Sequence, residues 1–246
     1  MMFKGRTLVA VAVVFGVWYV MAFFFRTPIL PYPHAVFSSL SPAMKKGLGV
    51  HFGVSGYRIL LSLLLALITA MPFGLYLGRR KRIDELVSPM IYLLYPIPKI
   101  VFLPLILLLF GLGDLSKIFI IFVIVFFQIL VTTRDAAKGI DEEQILSVLS
   151  LGARPKQIFI HTIFPACLPK ILTSLRISIG TAIAVLFFVE SFATENGLGF
   201  FILDAWSTLD YLSMYTGIMG MGVLGVIFYE VVDRIERKYC RWMFNE

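Results

Sequence analysis

Long apolar runs separated by short polar breaks make up most of this chain. The runs cover about 8–25, 54–77, 86–110, 115–133, 168–190 and 211–232. A helix needs roughly 20 apolar residues to cross a ~30 Å hydrocarbon core, so each run reads as one membrane-spanning helix. The runs are continuous rather than alternating, which argues against a β-barrel. The predicted fold class is therefore all-α, a polytopic membrane protein with six transmembrane helices. One stretch breaks the pattern: a polar island from about Arg134 to Lys170. A loop of that length is not needed to join two spans, and it is most simply a docking surface for something in water.

Composition agrees with a membrane protein. Of the residues, 59% are hydrophobic and 15% charged, against about 25% charged in soluble domains. The net charge of +7 does not indicate nucleic acid, because the basic residues cluster at the ends of apolar runs, where they set topology. With the N-terminus inside, fifteen Lys and Arg fall on the inner side and five on the outer. That places the island in the cytoplasm. Leu8–Phe25 follows Lys4 and Arg6 like a signal peptide. It exceeds the usual core of about 7–15 residues and no small-x-small site follows, so it reads as a retained first span. Cys167 and Cys240, and His34, His51 and His161, are scattered and match no metal or redox spacing.

The third span is interrupted by Pro89, Pro96, Pro98 and Pro104, each lacking a helix donor. Irregular backbone at membrane depth needs protein or a wet cavity around it, so this span either faces the interior of an assembly or is a kinked lipid-facing helix. In the outer segment 191–210, Asn196-Gly197-Leu198-Gly199 precedes an apolar run too short to span; a short helix dipping toward the membrane and a surface loop are both compatible. Three motifs resemble chemistry the context does not support. Gly220-Met221-Gly222-Val223-Leu224-Gly225 lies mid-span without the strand a dinucleotide site requires, and small-residue helix packing explains it better. Gly53-Val54-Ser55-Gly56 looks like an intramembrane serine protease motif, but no histidine lies inside any other predicted span to act as base. Gly111-Leu112-Gly113-Asp114 looks like an aspartyl protease motif. Its nearest partner, Asp135, is one helix length away, so the segment reads as a tight outer turn. No phosphate-binding loop occurs, so any ATP is bound by another chain.

Within the island, Asp141, Glu142 and Glu143 suit a helix N-terminus. Ile145, Leu146, Val148, Leu149 and Leu151 give an apolar face; Gly152 ends the helix and Pro155 opens the next. The result is a cytoplasmic, amphipathic helix–turn–helix that either docks a partner or lies on the inner leaflet.

At these residues the chain resembles the permease subunits of ATP-binding-cassette importers. Ser150-Leu151-Gly152-Ala153, Gln157-Ile158-Phe159 and Phe164-Pro165-Ala166-Cys167-Leu168-Pro169 are similar to that family's cytoplasmic signature. The signature's Glu-Ala-Ala positions read Leu146-Ser147-Val148, which leaves Glu142 or Glu143 to take the glutamate's place. From about Tyr57 to Arg234, Pro72-Phe73-Gly74-Leu75, Tyr95-Pro96-Ile97-Pro98, Phe110-Gly111-Leu112-Gly113, Leu175–Gly180 and Asn196–Gly199 resemble the nitrate/sulfonate/taurine group.

The resemblance implies the type I importer fold in the cytoplasmic (inner) membrane, with both termini cytoplasmic. It implies one permease domain over 1–246: a first span and outer segment to about 50, a core over 51–234 with a coupling loop at about 134–168, and a cytoplasmic tail over 235–246. Implied partners are a second permease copy, two cytoplasmic ATP-binding subunits that carry the ATP and Mg, and an extracytoplasmic substrate-binding protein. The chain itself would be non-catalytic and bind no cofactor. Glu143, Leu146, Ser147, Val148, Leu151, Gly152, Ala153, Arg154 and Pro155 would couple to the ATPase. The substrate class implied is a small anion or a heterocyclic vitamin precursor. Pro96, Pro98, Lys99, Arg176 and Glu190 are candidates for the path or gate. Lys99 either attracts an anion or pairs structurally. Arg176 pairs, snorkels inward or meets substrate. Glu190 lines an outer gate, pairs across a dimer or snorkels outward. A self-contained secondary transporter is the alternative; it would need intramembrane ion sites and usually a repeat, and few charges and no repeat are seen.

Overall fold

A computed structural model describes residues 2–192 and 194–243. Residue 193 of the outer segment, residues 244–246 of the expected tail, and the side chains of Lys4 and Arg6 lie outside the described residues. In chain order the helices are α1 (Met2–Phe25), α2 (Pro33–Ser38), α3 (Leu40–Lys45), α4 (Leu48–Arg79), α5 (Lys81–Leu94), α6 (Leu103–Phe110), α7 (Asp114–Lys138), α8 (Glu142–Ser150), α9 (Pro155–Ile158), α10 (Phe164–Glu190), α11 (Leu198–Ser207) and α12 (Tyr211–Tyr239). Short 3-10 turns lie at Lys99–Phe102 and Arg241–Met243, and a π-turn at Phe159–Ile163 joins α9 to α10. No strand occurs among the described residues.

Five helical stretches are long and apolar enough to cross a membrane, and α5 with α6, bent by 75°, makes a sixth. The bend falls at Tyr95–Pro98, where Pro96 and Pro98 remove backbone donors. Several boundaries differ from the apolar runs for identifiable reasons. Helix α4 begins at Leu48 rather than 54, because Gly49, His51 and Gly53 dilute the hydropathy of its first turns without breaking the helix. Helix α12 continues to Tyr239, where Glu230–Arg234 and Asp233–Arg237 pairs at i,i+4 support a polar extension. Helices α2 and α3, with Pro33 at the first position of α2, lie in a stretch read from sequence only as an outer segment.

The chain forms two compact units. One comprises Gly56–Val189 and Leu224–Glu246. In it, α4 lies against α7 through Gly74 and Gly78, one turn apart. A Cβ on Gly74 would sit 2.8 Å from Thr133 Cβ, and one on Gly78 would sit 2.7 Å from Ala137 Cβ. Small residues at this spacing let two helix backbones touch, which is how helices associate where no water is expelled. Gly78→Leu is expected to separate α4 from α7 and cost about 1–3 kcal/mol or more of stability; a melting curve in detergent matching wild type would contradict that packing. Leu75, Ala136, Ala137, Ile140, Ile158, Ile163, Cys167 and Ile171 continue this contact into a core at the α8–α10 end.

The other unit comprises Met1–Ser55 and Glu190–Val223. Trp18 of α1 stacks on Tyr215 of α12 at 5.7 Å, and Ser39 and Thr216 hydroxyls share a hydrogen bond of 2.5 Å. Leu198, Phe201, Ile202 and Ala205 turn the inner face of α11 into the unit, and a Cβ on Gly217 would meet Ile202 at 2.7 Å. The Gly-rich 196–199 segment thus starts a real short helix rather than a loop.

Candidate functional site

The island folds as its turn residues direct. Glu142 and Glu143 occupy the first turn of α8. Gly152 takes φ +82° with open space where a Cβ would stand, so the helix ends in a left-handed turn that glycine enters without penalty. Pro155 is the first residue of α9, and the Arg154 amide donates to Gln157 Oε1 at 2.8 Å.

The apolar residues of α8 do not form one face. Ile145, Val148 and Ala153 pack onto the core of Leu75, Ile140 and Ile158. Leu146, Leu149 and Leu151 point away and are 58%, 50% and 86% exposed. Ser147 and Ser150 bond back to the carbonyls of Glu143 and Ser147. One side of the island is therefore anchored, and the other offers three leucines to the surroundings. Of the expected coupling residues, Val148 and Ala153 serve the anchor, while Glu143, Leu146, Ser147, Leu151, Gly152, Arg154 and Pro155 are on the exposed side.

The candidate path residues occupy three different settings. At the break after α5, Lys99 Nζ donates to the carbonyls of Leu94 (2.9 Å), Tyr95 (2.8 Å) and Ile97 (3.3 Å) and lies 4.5 Å from the Phe127 ring centroid. Pro98 removes the donor that would serve the Leu94 carbonyl, and the helix stops at Leu94, so the ammonium caps the carbonyls at the broken end. Arg176 pairs with Glu236 and, at 3.6 Å, with Asp233, and stacks over Tyr229 at 5.2 Å.

Glu190 is fully buried and does not snorkel. Ser55 Oγ donates to the carboxylate at 2.8–2.9 Å, and the Gly199 amide, in the first turn of α11, donates to Oε2 at 2.9 Å. Ser55 Oγ in turn accepts from the Leu198 amide at 2.8 Å, and His51 Nδ1 accepts from the Gly197 amide at 3.0 Å. Gly197 has φ +130°, and a Cβ there would overlap the Glu190 carboxylate. Asn196-Gly197-Leu198-Gly199 is thus the seat of a buried anion at a helix start, where the exposed amides and the dipole favour negative charge.

The same contacts dispose of the protease motifs. The early start of α4 puts His51 one turn from Ser55, a histidine the shorter predicted span had left out. The Ser55 hydroxyl nonetheless donates to Glu190 and accepts from the Leu198 amide, while His51 Nδ1 accepts from the Gly197 amide, so the serine is held as a structural link to α11 and the histidine does not face it as a base. Gly111, at φ +78°, makes the turn between α6 and α7, and Asp114 pairs with buried Arg58 at 2.5 Å. In the glycine-rich motif of α12, Gly225 packs against Ile183, Gly220 against Leu198, and nothing approaches Gly222.

One cluster had no sequence signal as a site. Arg134 and Asp84, 3% and 4% exposed, form a bidentate pair between α7 and α5. Ser88 Oγ accepts from Arg134 at 2.5 Å and Lys138 Nζ reaches Asp84 at 3.2 Å. By sequence Arg134 is one of the inner-side basic residues that set topology, and only the opposite charges of Asp84 and Arg134, 50 positions apart, hint at a pair. No group of three or more metal-ligating side chains occurs among the described residues.

A bundle of apolar spans with a broken third span, carrying outside its spans an anchored helix with a leucine-rich outer side, defines a polytopic permease-type membrane subunit. The family model of the binding-protein-dependent transport system inner membrane component matches residues 56–240, and the chain belongs to that family; it is a permease of an ATP-binding-cassette importer. It is 35% identical to an ABC transporter permease protein of Methanocaldococcus jannaschii, over 96% of this chain and 90% of that one. It is 29% identical to the taurine transport system permease protein of Escherichia coli (94% and 87% covered) and 27% identical to the nitrate import permease protein of Synechocystis (94% and 87%). Its fold matches a chain of the MetNI methionine ABC transporter in an inward-facing conformation. The TM-score is 0.65 at 20% identity, covering 80% of this chain and 97% of that one.

Proposed function

We propose that this permease forms the path for a small anion such as nitrate or a sulfonate. In this reading a second copy completes the path, two cytoplasmic subunits bind ATP and Mg, and an extracytoplasmic protein delivers the solute. The names of the taurine and nitrate relatives support the anion class. The excess of Lys and Arg on one side supports cytoplasmic termini. The observation that carries the coupling assignment is the exposure of Leu146 and Leu149 on α8, and of Leu151 at its C-cap, on a helix whose Ile145 and Val148 are fixed to the core. Such a helix transmits displacement to α4, α7 and α10 rather than absorbing it. ATP drives transport in this scheme only because it binds the two states of the assembly with different affinity. Pro96, Pro98 and Lys99 at the broken span, Arg176 on α10 and Glu190 beneath α11 are the residues through which the spans rearrange. The permease itself performs no chemistry.

The test is copurification and reconstitution. The wild-type chain is expected to bring down an ATP-hydrolysing subunit and to support ATP-driven uptake. Leu149→Glu with Leu151→Glu is expected to weaken that association by about 10- to 30-fold, as loss of an interface hot spot does, while the permease stays monodisperse. Uptake that persists without any ATPase, or full association by the double variant, would remove the coupling role from α8.

A further inference from the structure

A second feature lies at the other end of the chain's first span. The apolar run of α1 ends at Phe25 and that of α12 begins at Tyr211. Where the two ends meet, a cavity of about 620 Å³ is lined by Ala22, Arg26, Tyr32, Leu209, Asp210 and Tyr211, among others. That volume is within the range of small-molecule sites, about 300–1,000 Å³. Both flanking elements are passing from hydrocarbon to water, so the cavity lies at headgroup depth, in the belt where Tyr and Trp gather. Only 6% of the α1 span is covered by protein, and Phe23, Phe24 and Phe25 are exposed beside it.

The backbone of this cavity is unusual in one respect. Among the described residues, two non-glycine residues have positive φ, Arg26 at +45° and Leu209 at +58°, and both line it. Each follows a helix end: the Arg26 amide donates to the Ala22 carbonyl, the Leu209 amide to Trp206 and the Asp210 amide to Ala205. Helix termination explains the left-handed turns but not the side chains, because glycine is the unstrained choice there. At Gly47, Gly111, Gly152 and Gly197 the chain does use glycine for positive φ. At the cavity it keeps an arginine and a leucine instead, and strain retained in this way is typical of ligand clamps.

The charges point to an anion. The Arg26 side chain donates through Nε to the Phe23 carbonyl at 3.3 Å and lies 4.9 Å from the Phe23 ring centroid; among the described residues its two amino groups have no hydrogen-bond partner, which leaves them for a ligand. Asp210 is already engaged by Lys46 at 2.7 Å and by the Ser213 amide and hydroxyl. Lys46 holds its carboxyl low, at about 2, so that pair is internally neutral. The wall is pinned by Trp18 Nε1 donating to the Pro31 carbonyl at 3.1 Å and by the Tyr19–His34 contact.

We propose that this cavity is a phospholipid site, in which Arg26 binds the phosphate through the two free amino groups of its guanidinium and the apolar walls hold the glycerol and upper acyl chains. The planar fork of arginine suits a phosphate oxygen pair better than a point charge would. Leu209 and the exposed phenylalanines of α1 supply the apolar edge that a free anion would not need.

The probe is dioctanoyl phosphatidylglycerol added to the full-length chain in neutral detergent, read by native mass spectrometry and by melting temperature, with inorganic phosphate as the parallel arm. Wild type is expected to retain one lipid per chain and to melt higher with it, while inorganic phosphate has little effect. Arg26→Gly relieves the backbone and removes the cation. It is expected to melt no lower than wild type without lipid, yet to hold the lipid about tenfold more weakly. Arg26→Gln, which keeps side-chain length, is expected to lose the lipid likewise. Equal retention by both variants overturns the proposal. So does a phosphate response as large as the lipid response, which would make the cavity a free-anion site. Because neither readout involves ATP or uptake, failure here leaves the permease reading standing.

Discussion

Asp84→Ala is expected to destabilise the protein by about 3–5 kcal/mol, the usual result of stripping one partner from a buried ion pair. The Arg134 guanidinium, 3% exposed with Asp84 in place, would keep Ser88 and the face of the Tyr92 ring as neighbours but no close buried anion. Asp135, which also reaches Arg134 at 3.1 Å, is 59% exposed and only weakly compensates. The diagnostic measurement is the melting temperature in detergent of three variants. Asp84→Ala and Arg134→Met should each fall steeply. Asp84→Leu combined with Arg134→Met should recover most of the loss, because two apolar side chains leave no orphaned charge. If the double variant melts as low as the singles, the pair is not an isolated energetic unit and its hydrogen bonds to Ser88 and Lys138 carry more than assumed. The consequence for function is mechanical: this pair joins α5, the first half of the broken span, to α7, whose last turn leads into α8.

How much of this was legible beforehand varies with the range of the interaction. The spans were, because a run of twenty apolar residues is a local signal. So was the break at Pro96 and Pro98, and so was the island's helix–turn–helix, since Gly152 and Pro155 act on their own backbone. The sidedness of α8 was not. Ile145, Leu146, Val148 and Leu149 look equivalent as apolar residues, and only the packing of Ile145 and Val148 on Leu75 and Ile140 separates anchor from surface. Gly74 was visible within a family-like motif and Gly78 carried no signal, and the role of both depends on which helix comes close. The Arg134–Asp84 pair and the contacts of Glu190 join residues 50 and 135 positions apart, and no local pattern announces such pairings. Helices α2 and α3 were missed because six-residue helices carry too little periodicity to register.

The anion beneath α11 gives the other large effect. Glu190→Ala is expected to cost about 2–5 kcal/mol, since Ser55 Oγ and the Gly199 amide would lose a buried acceptor, each worth about 1–3 kcal/mol when left unmade. The loss should be local first. Hydrogen exchange is expected to rise at residues 198–202, whose amides open α11, well before it rises in α7. Glu190→Gln keeps one acceptor oxygen but brings an amide group to face donors, so it should fall between. Gly197 provides the independent check. Gly197→Ala meets two obstacles, the φ of +130° and the carboxylate occupying the space of its Cβ. In a Glu190→Ala background the second obstacle is gone and only backbone strain remains. The combined variant should therefore be less damaged than the sum of the singles, by about 0.5–3 kcal/mol of coupling. Strict additivity would mean that Gly197 is required for its backbone alone, and that the carboxylate and the Asn196–Gly199 turn are not one structure.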